Sequence, residues 1–292
     1  MWEQRAMSAA RRAATARGLD SGGSRMVRVG ENAVVHLSAA GVMAKVVPDE
    51  GLIELVRHEL AVAQWLASAD VPVMQPVAEE PVIIDGCVVA LWEYLPEARS
   101  ADLITLARFL RRLHAAPIPD SPALPSVQPF SRLQERLTSA VTLNAADRSF
   151  LAALGNQLSE QWKQATFDLP TTVVHGDAHM DNLLVTDGAD GRLAFVDLEH
   201  VAVGPPEWDL TLTALYYECG WFTADQYRSF TGEYGFDVRM SAAWPVLRGI
   251  RMLRMTTWLA QTAADYPERQ AQLEHRIASL RDDSAPAGWT GF

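Results

Sequence analysis

Two short stretches combine residue types that could do chemistry. TVVHGDAHMDNLLV, residues 172–185, sets His175, Asp177, His179, Asp181 and Asn182 between apolar runs, and AFVDLEH follows with Asp197, twenty residues after Asp177. One carboxylate can orient or deprotonate a hydroxyl, while an amide oxygen and a second carboxylate hold a divalent cation against a nucleotide phosphate. That division of labour is what phosphoryl transfer needs. An aspartate accepts the hydroxyl proton as the oxygen becomes acidic during bond formation, so its role requires no raised pKa. Taken singly, Asp177 and Asp181 read as turn caps and Asn182 as a bend residue. HGDxxxxN followed by VDLE is a specific joint signal. His175, at a strand end, reads as a structural hydrogen-bonder bracing the loop, and His179 and Asp181 read as ordinary loop polar groups.

The elements around these stretches must bring them together. The runs NLLVT and RLAFVD read as two strands joined across DGADG, and a hairpin returns its two ends to one edge. Upstream, MVRVG, AVVHL and VMAKVV within residues 26–48 predict antiparallel strands. LIELVRHELAVAQWLAS, residues 52–68, predicts one helix, and PVIIDGCVVALWEYL a hairpin turning at Asp85 and Gly86. After Pro96 the text becomes helical. ADLITLARFLRRLHAA is amphipathic and stops at the proline-rich segment 117–129, a long helical region spans roughly 131–166, and helices fill 208–280 with breaks near Gly220, YGFD and Tyr266–Pro267. The expected division is a flexible or partly helical extension over 1–25, a nucleotide-binding lobe over 26–96, and a helical catalytic and substrate-binding lobe over 97–292.

Composition bounds the partners. With 292 residues, 49% of them hydrophobic, the chain can build a substantial core, and a formal charge of −11 disfavours a broad nucleic-acid footprint. Arg5, Arg11, Arg12, Arg17 and Arg25 concentrate positive charge in the first twenty-five residues, which leaves a phosphate-contacting arm open as an alternative use. No run of about 20 apolar residues predicts a membrane span. Cys87 and Cys219 lie far apart without metal-ligand spacing, which points to a reducing, cytoplasmic compartment.

On HGDAHMDN and FVDLEH the chain resembles the aminoglycoside phosphotransferase and choline kinase group, a branch of the protein-kinase-like fold, over about residues 26–282. The resemblance implies an α+β, bilobal architecture, with a small mixed sheet-and-helix N-lobe and a larger, mainly helical C-lobe. It implies Asp177 as catalytic base, Asn182 and Asp197 as Mg2+ ligands, and transfer of the terminal phosphoryl group of ATP, or GTP, to a small-molecule hydroxyl. Lys45 in VMAKVV then reaches the nucleotide phosphates as a point charge fixed by Glu59, with Glu54 as the competing partner. Gly30 in RVGENAVVHL is the one glycine there for a phosphate-covering loop, and a simple turn explains it equally. Backbone groups at Glu93, Tyr94 and Leu95 would meet the purine edge, with Val46, Val73 and Leu184 packed against the ring.

The acceptor is the least determined part. Glu199, Glu207, Glu218 and Asp225 give the region after Asp197 an acidic character suited to an aminoglycoside or other amine-bearing alcohol, and a solvated acidic face accounts for them equally. Tyr216, Tyr217, Trp221 and Phe222 fit either a cation-contacting wall or core. Asp209 in PPEWDL reads as a helix cap or a loop brace, and the terminal GWTGF as a loose tail or a ligand contact. The expected partner is a hydroxyl-bearing small molecule, cationic ones included, with no membrane and no nucleic acid, and the chain acting as monomer or homodimer. Choline, homoserine or other antibiotic kinases, and a nucleotide-binding regulatory pseudokinase, remain alternatives, so a role in antibiotic resistance or in metabolism is open.

Overall fold

The computed structural model describes residues 1–187, 191–264, 266 and 268–291. The inner part of the DGADG turn, Pro267 and the final Phe292 lie outside the described residues. Along the chain run α1 (Trp2–Ala16), β1 (Arg25–Val29), β2 (Ala33–Leu37), β3 (Val42–Val47), α2 (Ile53–Ser68), β4 (Val82–Ile84), β5 (Cys87–Glu93) and β6 (Arg99–Ser100). Then come α3 (Leu103–His114), α4 (Leu133–Ser139), α5 (Ala145–Gln164), β7 (Thr172–Val174), β8 (Leu183–Val185), β9 (Leu193–Phe195), β10 (Ala202–Gly204), α6 (Glu207–Glu218), α7 (Ala224–Tyr234), α8 (Trp244–Thr262) and α9 (Glu268–Arg281).

Two compact units result: residues 1–101, 116–124 and 180–201, and residues 102–115, 125–179 and 202–292. This partition departs from the expected boundary at 96/97. The β8–β9 hairpin groups with the first unit because the backbone bonds it there: Met74 N–H donates to Phe195 O, Phe195 N–H to Pro72 O, and Ala101 N–H to Leu183 O. β6 also pairs with β8, setting Ser100 opposite Leu184.

The first unit is built on an antiparallel sheet of order β1-β2-β3-β5-β4. Asp85 and Gly86 turn the β4–β5 hairpin with φ of 51° and 71°, the left-handed pair that a tight two-residue turn requires. Side chains alternate across the pleat, so Ala33, Val35, Leu37, Val42, Ala44, Val46, Val89 and Leu91 share one face. Against it lies α1, whose Ala6, Ala9, Ala10, Ala13 and Ala14 are fully buried at helical spacing.

The segment expected to be flexible or partly helical is thus a packed helix for most of its length. Alanine is the best helix former and brings the two backbones close. Gly18, at φ 70°, ends the helix in a Schellman motif: Leu19 N–H donates to Ala14 O and Gly18 N–H to Thr15 O. Three of the arginines tie α1 to its own unit rather than lining a free arm. Arg5 donates to Pro48 O, Arg12 pairs with Asp85, and Arg17 donates to Glu80 O.

The second unit is helical. α6 buries every residue from Glu207 to Leu215, as expected of a central helix, and α8 buries ten of its side chains. The long helical region expected over 131–166 is two helices, because Asn144 caps a new start by accepting from Asp147 N–H. α3 begins later than expected, at Leu103, where Asp102 caps it through Thr105 N–H. β7 pairs with β10, a short strand that the sequence did not announce.

Candidate active site

In the first unit, register places Lys45 of β3 opposite Val34 and Ala90, on the sheet face away from α1. Its ammonium meets Glu59 Oε1 and Oε2 at 2.9 and 3.0 Å, Glu199 Oε2 at 2.8 Å and Asp197 Oδ1 at 3.4 Å. Burial alone would push the Lys45 pKa down, but the three carboxylates outweigh it and raise it. Glu59 is 4% exposed, on the same α2 face as Val56, Leu60 and Ala63, whereas Glu54 sits on the outer face and pairs with Arg57. The choice between the two glutamates is therefore settled geometrically in favour of Glu59 as the partner of Lys45.

The β8–β9 hairpin brings the ends of its strands together. Leu183 pairs with Phe195, and Val196 N–H donates to Asn182 O at 2.8 Å, so Asn182 and Asp197 sit at one end of the hairpin. Asp197 adopts φ 62°, ψ 58°, a left-handed turn that aspartate tolerates, and the 3-10 turn Leu198–His200 folds Glu199 back onto Lys45. Glu199 consequently belongs with the lysine cluster, not with an acceptor-facing acidic patch. Amide and carboxylate oxygens are the hard donors that Mg2+ takes, so the side chains of Asn182 and Asp197 fit that ion. Asp181 accepts from Ser100 Oγ at 2.6 Å.

Glu93 and Tyr94 are bonded through their backbones, Glu93 N–H to Gln75 O and Tyr94 N–H to Gly41 O, and Leu95 is buried. Glu93 also accepts from Arg192 at 2.6 Å. Val73 bridges Phe195 and Leu184 pairs with Ala194, but Val46 faces α1, on the opposite side of the sheet from Lys45. An odd-residue shift along a strand reverses the face, which removes Val46 from any ring packing on the lysine side. Gly30 closes a tight turn by donating to Asn32 O. His36, which the sequence did not single out, lies on the lysine face, its ring 4.0 Å from that of Tyr94. Burial and Arg25 push its pKa down.

In the second unit, β7 leads into His175, Gly176 and Asp177. Asp209, fully buried in the first turn of α6, accepts His175 N–H at 2.7 Å and Gly176 N–H at 2.8 Å, and also contacts His114 Nε2 at 3.1 Å. Burial would raise the Asp209 pKa, but the two histidines and the backbone donor hold it below the ordinary aspartate value. Asp209 is the loop brace rather than a side-chain cap of α6. His175 Nδ1 accepts Asp177 N–H at 3.3 Å, the structural bond expected of it. Asp177 keeps 35% of its side chain exposed, with His179 Nε2 at 3.8 Å and Arg251 Nη1 at 3.6 Å.

The remaining acidic candidates of this unit do not converge. Glu207 is fully buried and accepts from Asp168 and Leu169 N–H, Glu218 pairs with Arg248 at 2.6 Å, and Asp225 pairs with Arg228 at the start of α7. Each carboxylate is answering a local donor or cation. Tyr217 stacks on Tyr227 and the Arg239 guanidinium covers both rings, while Tyr216 packs on Trp221 and Phe222. The terminal segment is not loose at Trp289, which is 1% exposed and donates to Ser279 Oγ. The sequence also missed Trp208 and Arg251. Trp208 adjoins Asp209 in PPEWDL, whereas Arg251 lies in an amphipathic helix with nothing to mark it.

The model of the Phosphotransferase enzyme family matches residues 17–250. The chain belongs to that family. No curated protein matches closely enough to count as a relative. Among solved structures, the fold is similar to a choline/ethanolamine kinase family protein from Mesorhizobium loti, at TM-score 0.61 and 20% identity over 97% of this chain and 94% of that one. It is similar to the aminoglycoside phosphotransferase APH(3'')-Id from Streptomyces rimosus, at TM-score 0.62 and 20% identity over 82% and 96%. A third similar structure is the spectinomycin phosphotransferase APH(9)-Ia in complex with ADP and spectinomycin, at TM-score 0.60 and 15% identity over 89% and 88%. The protein is thus a phosphotransferase of the protein-kinase-like fold, with an antiparallel-sheet N-lobe and a helical C-lobe. None of its described helices is long and apolar enough to cross a membrane.

Proposed function

We propose that this phosphotransferase moves the terminal phosphoryl group of ATP to a hydroxyl of an amine-bearing small molecule, with aminoglycosides and related amino sugars as the leading acceptor class. The observation that carries the reading is the Lys45–Glu59 ion pair with Asp197 3.4 Å from the same ammonium. A buried lysine fixed by a glutamate beside a second carboxylate is the arrangement that receives nucleotide phosphates. The ADP complex of the spectinomycin enzyme supports ATP as donor, and GTP stays open because a backbone contact at Glu93–Leu95 selects weakly by side chain. Bound Mg2+ would neutralise charge developing on the phosphates, held by Asn182 and Asp197.

In the transfer the acceptor oxygen forms a bond to the terminal phosphorus as the bond to the bridging oxygen breaks, and ADP leaves. Asp177 takes the hydroxyl proton. Spectinomycin, choline and ethanolamine, which the similar structures name, are all amine-bearing alcohols, and this supports the acceptor class. The acidic side chains do not add to that support, since Glu199, Glu207, Glu218 and Asp225 are engaged internally. The two buried free cysteines support a reducing, cytoplasmic setting.

The test is a mass-spectrometric screen of Mg-ATP with kanamycin, streptomycin, spectinomycin, choline, ethanolamine and homoserine, run on the native protein and on Asp177→Asn. A phosphorylated product should appear with the native protein and fall by roughly 10²- to 10⁴-fold in the variant. Nucleotide binding without transfer to any acceptor would favour the regulatory pseudokinase. Undiminished transfer by Asp177→Asn would remove Asp177 from the reaction.

A further inference from the structure

Arg251 is 2% exposed in the middle of α8, well outside both motif stretches. Its Nη2 donates to Gly176 O at 2.9 Å and to Trp208 O at 3.1 Å, its guanidinium carbon lies 4.0 Å from the Trp208 ring centroid, and its Nη1 lies 3.6 Å from Asp177 Oδ1. Guanidinium does not give up its proton in proteins, so its burial needs compensating negative charge and acceptors. Here they are two carbonyls, an aromatic face and the carboxylate of Asp177. Asp209 is the second carboxylate whose charge acts on it.

The contacts converge on Gly176. Its N–H is held by Asp209 at 2.8 Å, and its carbonyl by Arg251 at 2.9 Å and by the Trp208 indole at 3.0 Å. Peptide units are planar, so fixing the units on both sides of the Gly176 Cα fixes its φ and ψ. That in turn sets the direction in which Asp177 leaves the backbone. Gly176 has φ 87°, a conformation natural to glycine and one that would relax if the clamp opened. Trp208 and Asp209 share the backbone clamp, and Arg251 adds a cation beside the Asp177 carboxylate itself.

We propose that Arg251 is a positioning residue for phosphoryl transfer, holding the Gly176–Asp177 peptide and steering the Asp177 carboxylate through its guanidinium. The proposal rests on the reading of Asp177 as the base for the acceptor hydroxyl. Misplacing a reacting group by about 1 Å costs on the order of 10²-fold in rate, which sets the expected effect. Lys45, Asn182 and Asp197 belong to the other unit, so nucleotide binding should be spared.

The experiment compares the native protein with Arg251→Lys, Arg251→Met and Trp208→Phe, using Mg-ATP and the acceptor identified by the screen, or phosphate release to water where no acceptor is found. Arg251→Met should lower kcat about 10²-fold with KM for Mg-ATP at the native value. Arg251→Lys should recover part of the loss because it restores the cation. Trp208→Phe, which removes one donor to Gly176 O and keeps the cation, should fall between Arg251→Lys and the native protein. Amide exchange at Gly176 and Asp177 should accelerate in Arg251→Met. If Arg251→Met fails to fold, Trp208→Phe and Arg251→Lys carry the same test of the clamp.

Native kcat in a folded Arg251→Met, equal losses in kcat and Mg-ATP affinity, or unchanged amide exchange would each overturn the proposal. Failure of the underlying reading has another signature, with the native protein neither binding Mg-ATP nor transferring phosphate. The exchange measurement still decides the clamp in that case.

Discussion

In the first unit Lys45 is held by side chains, a single cation with three carboxylates within 3.4 Å; in the second, Asp177 is held through its backbone, its neighbours' N–H and C=O groups answered by Asp209, Trp208 and Arg251. The charge cluster has redundancy, because removing one carboxylate leaves two. The backbone clamp shares less: Gly176 O has two donors, whereas the His175 and Gly176 N–H groups both depend on the Asp209 carboxylate. A point charge needs only proximity, whereas a proton acceptor must present a lone pair in a set direction.

The largest expected stability effect breaks the cluster at its centre. Lys45→Met leaves Glu59 at 4% exposure with no paired cation among the described residues and two carboxylates nearby, and should cost about 3–5 kcal/mol in urea unfolding at neutral pH. Burial already pushes Glu59 above the ordinary carboxylate value, and without Lys45 it goes further. The folded state then binds that proton at a higher pH than the unfolded chain does, so the deficit shrinks as pH falls. A deficit that grows on acidification would refute this account of the cluster.

Asp209→Asn tests the clamp. The amide offers one acceptor where the carboxylate served two backbone donors, and its NH2 faces a donor, so a loss of about 2 kcal/mol is expected at neutral pH. The pKa of Asp209 is depressed in the folded protein, so its contribution is full above the ordinary value of 3.8 and is lost as pH falls through the folded value. The gap between native and variant stability should therefore stay constant down to about that pH and close below it. A gap that closes already near neutrality would show that another group, not Asp209, carries the linkage.

The two halves also differed in how legible they were. Lys45 and Glu59 were nameable because a lysine inside VMAKVV and a glutamate inside a helix's apolar face contradict their surroundings. Asn182 and Asp197 followed from hairpin geometry, which returns both strand ends to one place. The clamp was half hidden. Asp209 read as cap or brace, and only tertiary structure separates the two. Arg251 carried no local signal, since an arginine in an amphipathic helix reads as surface until the fold buries it. Glu199 was misplaced because a single 3-10 turn decides which way its side chain returns. The expected flexible or partly helical extension over 1–25 is a packed helix for a similar reason: alanines are small enough to bury only once the sheet face that they cover is known.

The smallest expected effect is the sharpest check on redundancy. Glu199 approaches Lys45 as closely as Glu59 does, 2.8 against 2.9 Å, so distance alone makes them equal holders of the lysine. Exposure separates them, at 35% for Glu199 against 4% for Glu59, and water screens the former pair. In Glu199→Gln the amide oxygen can still accept from the ammonium, and the repulsion that Glu199 imposes on Glu59 disappears. Its unfolding free energy should stay within about 1 kcal/mol of the native value at low salt, with the difference narrowing at high salt. A loss as large as that of Lys45→Met would mean that Glu199 anchors the lysine and that the buried Glu59 pair contributes little.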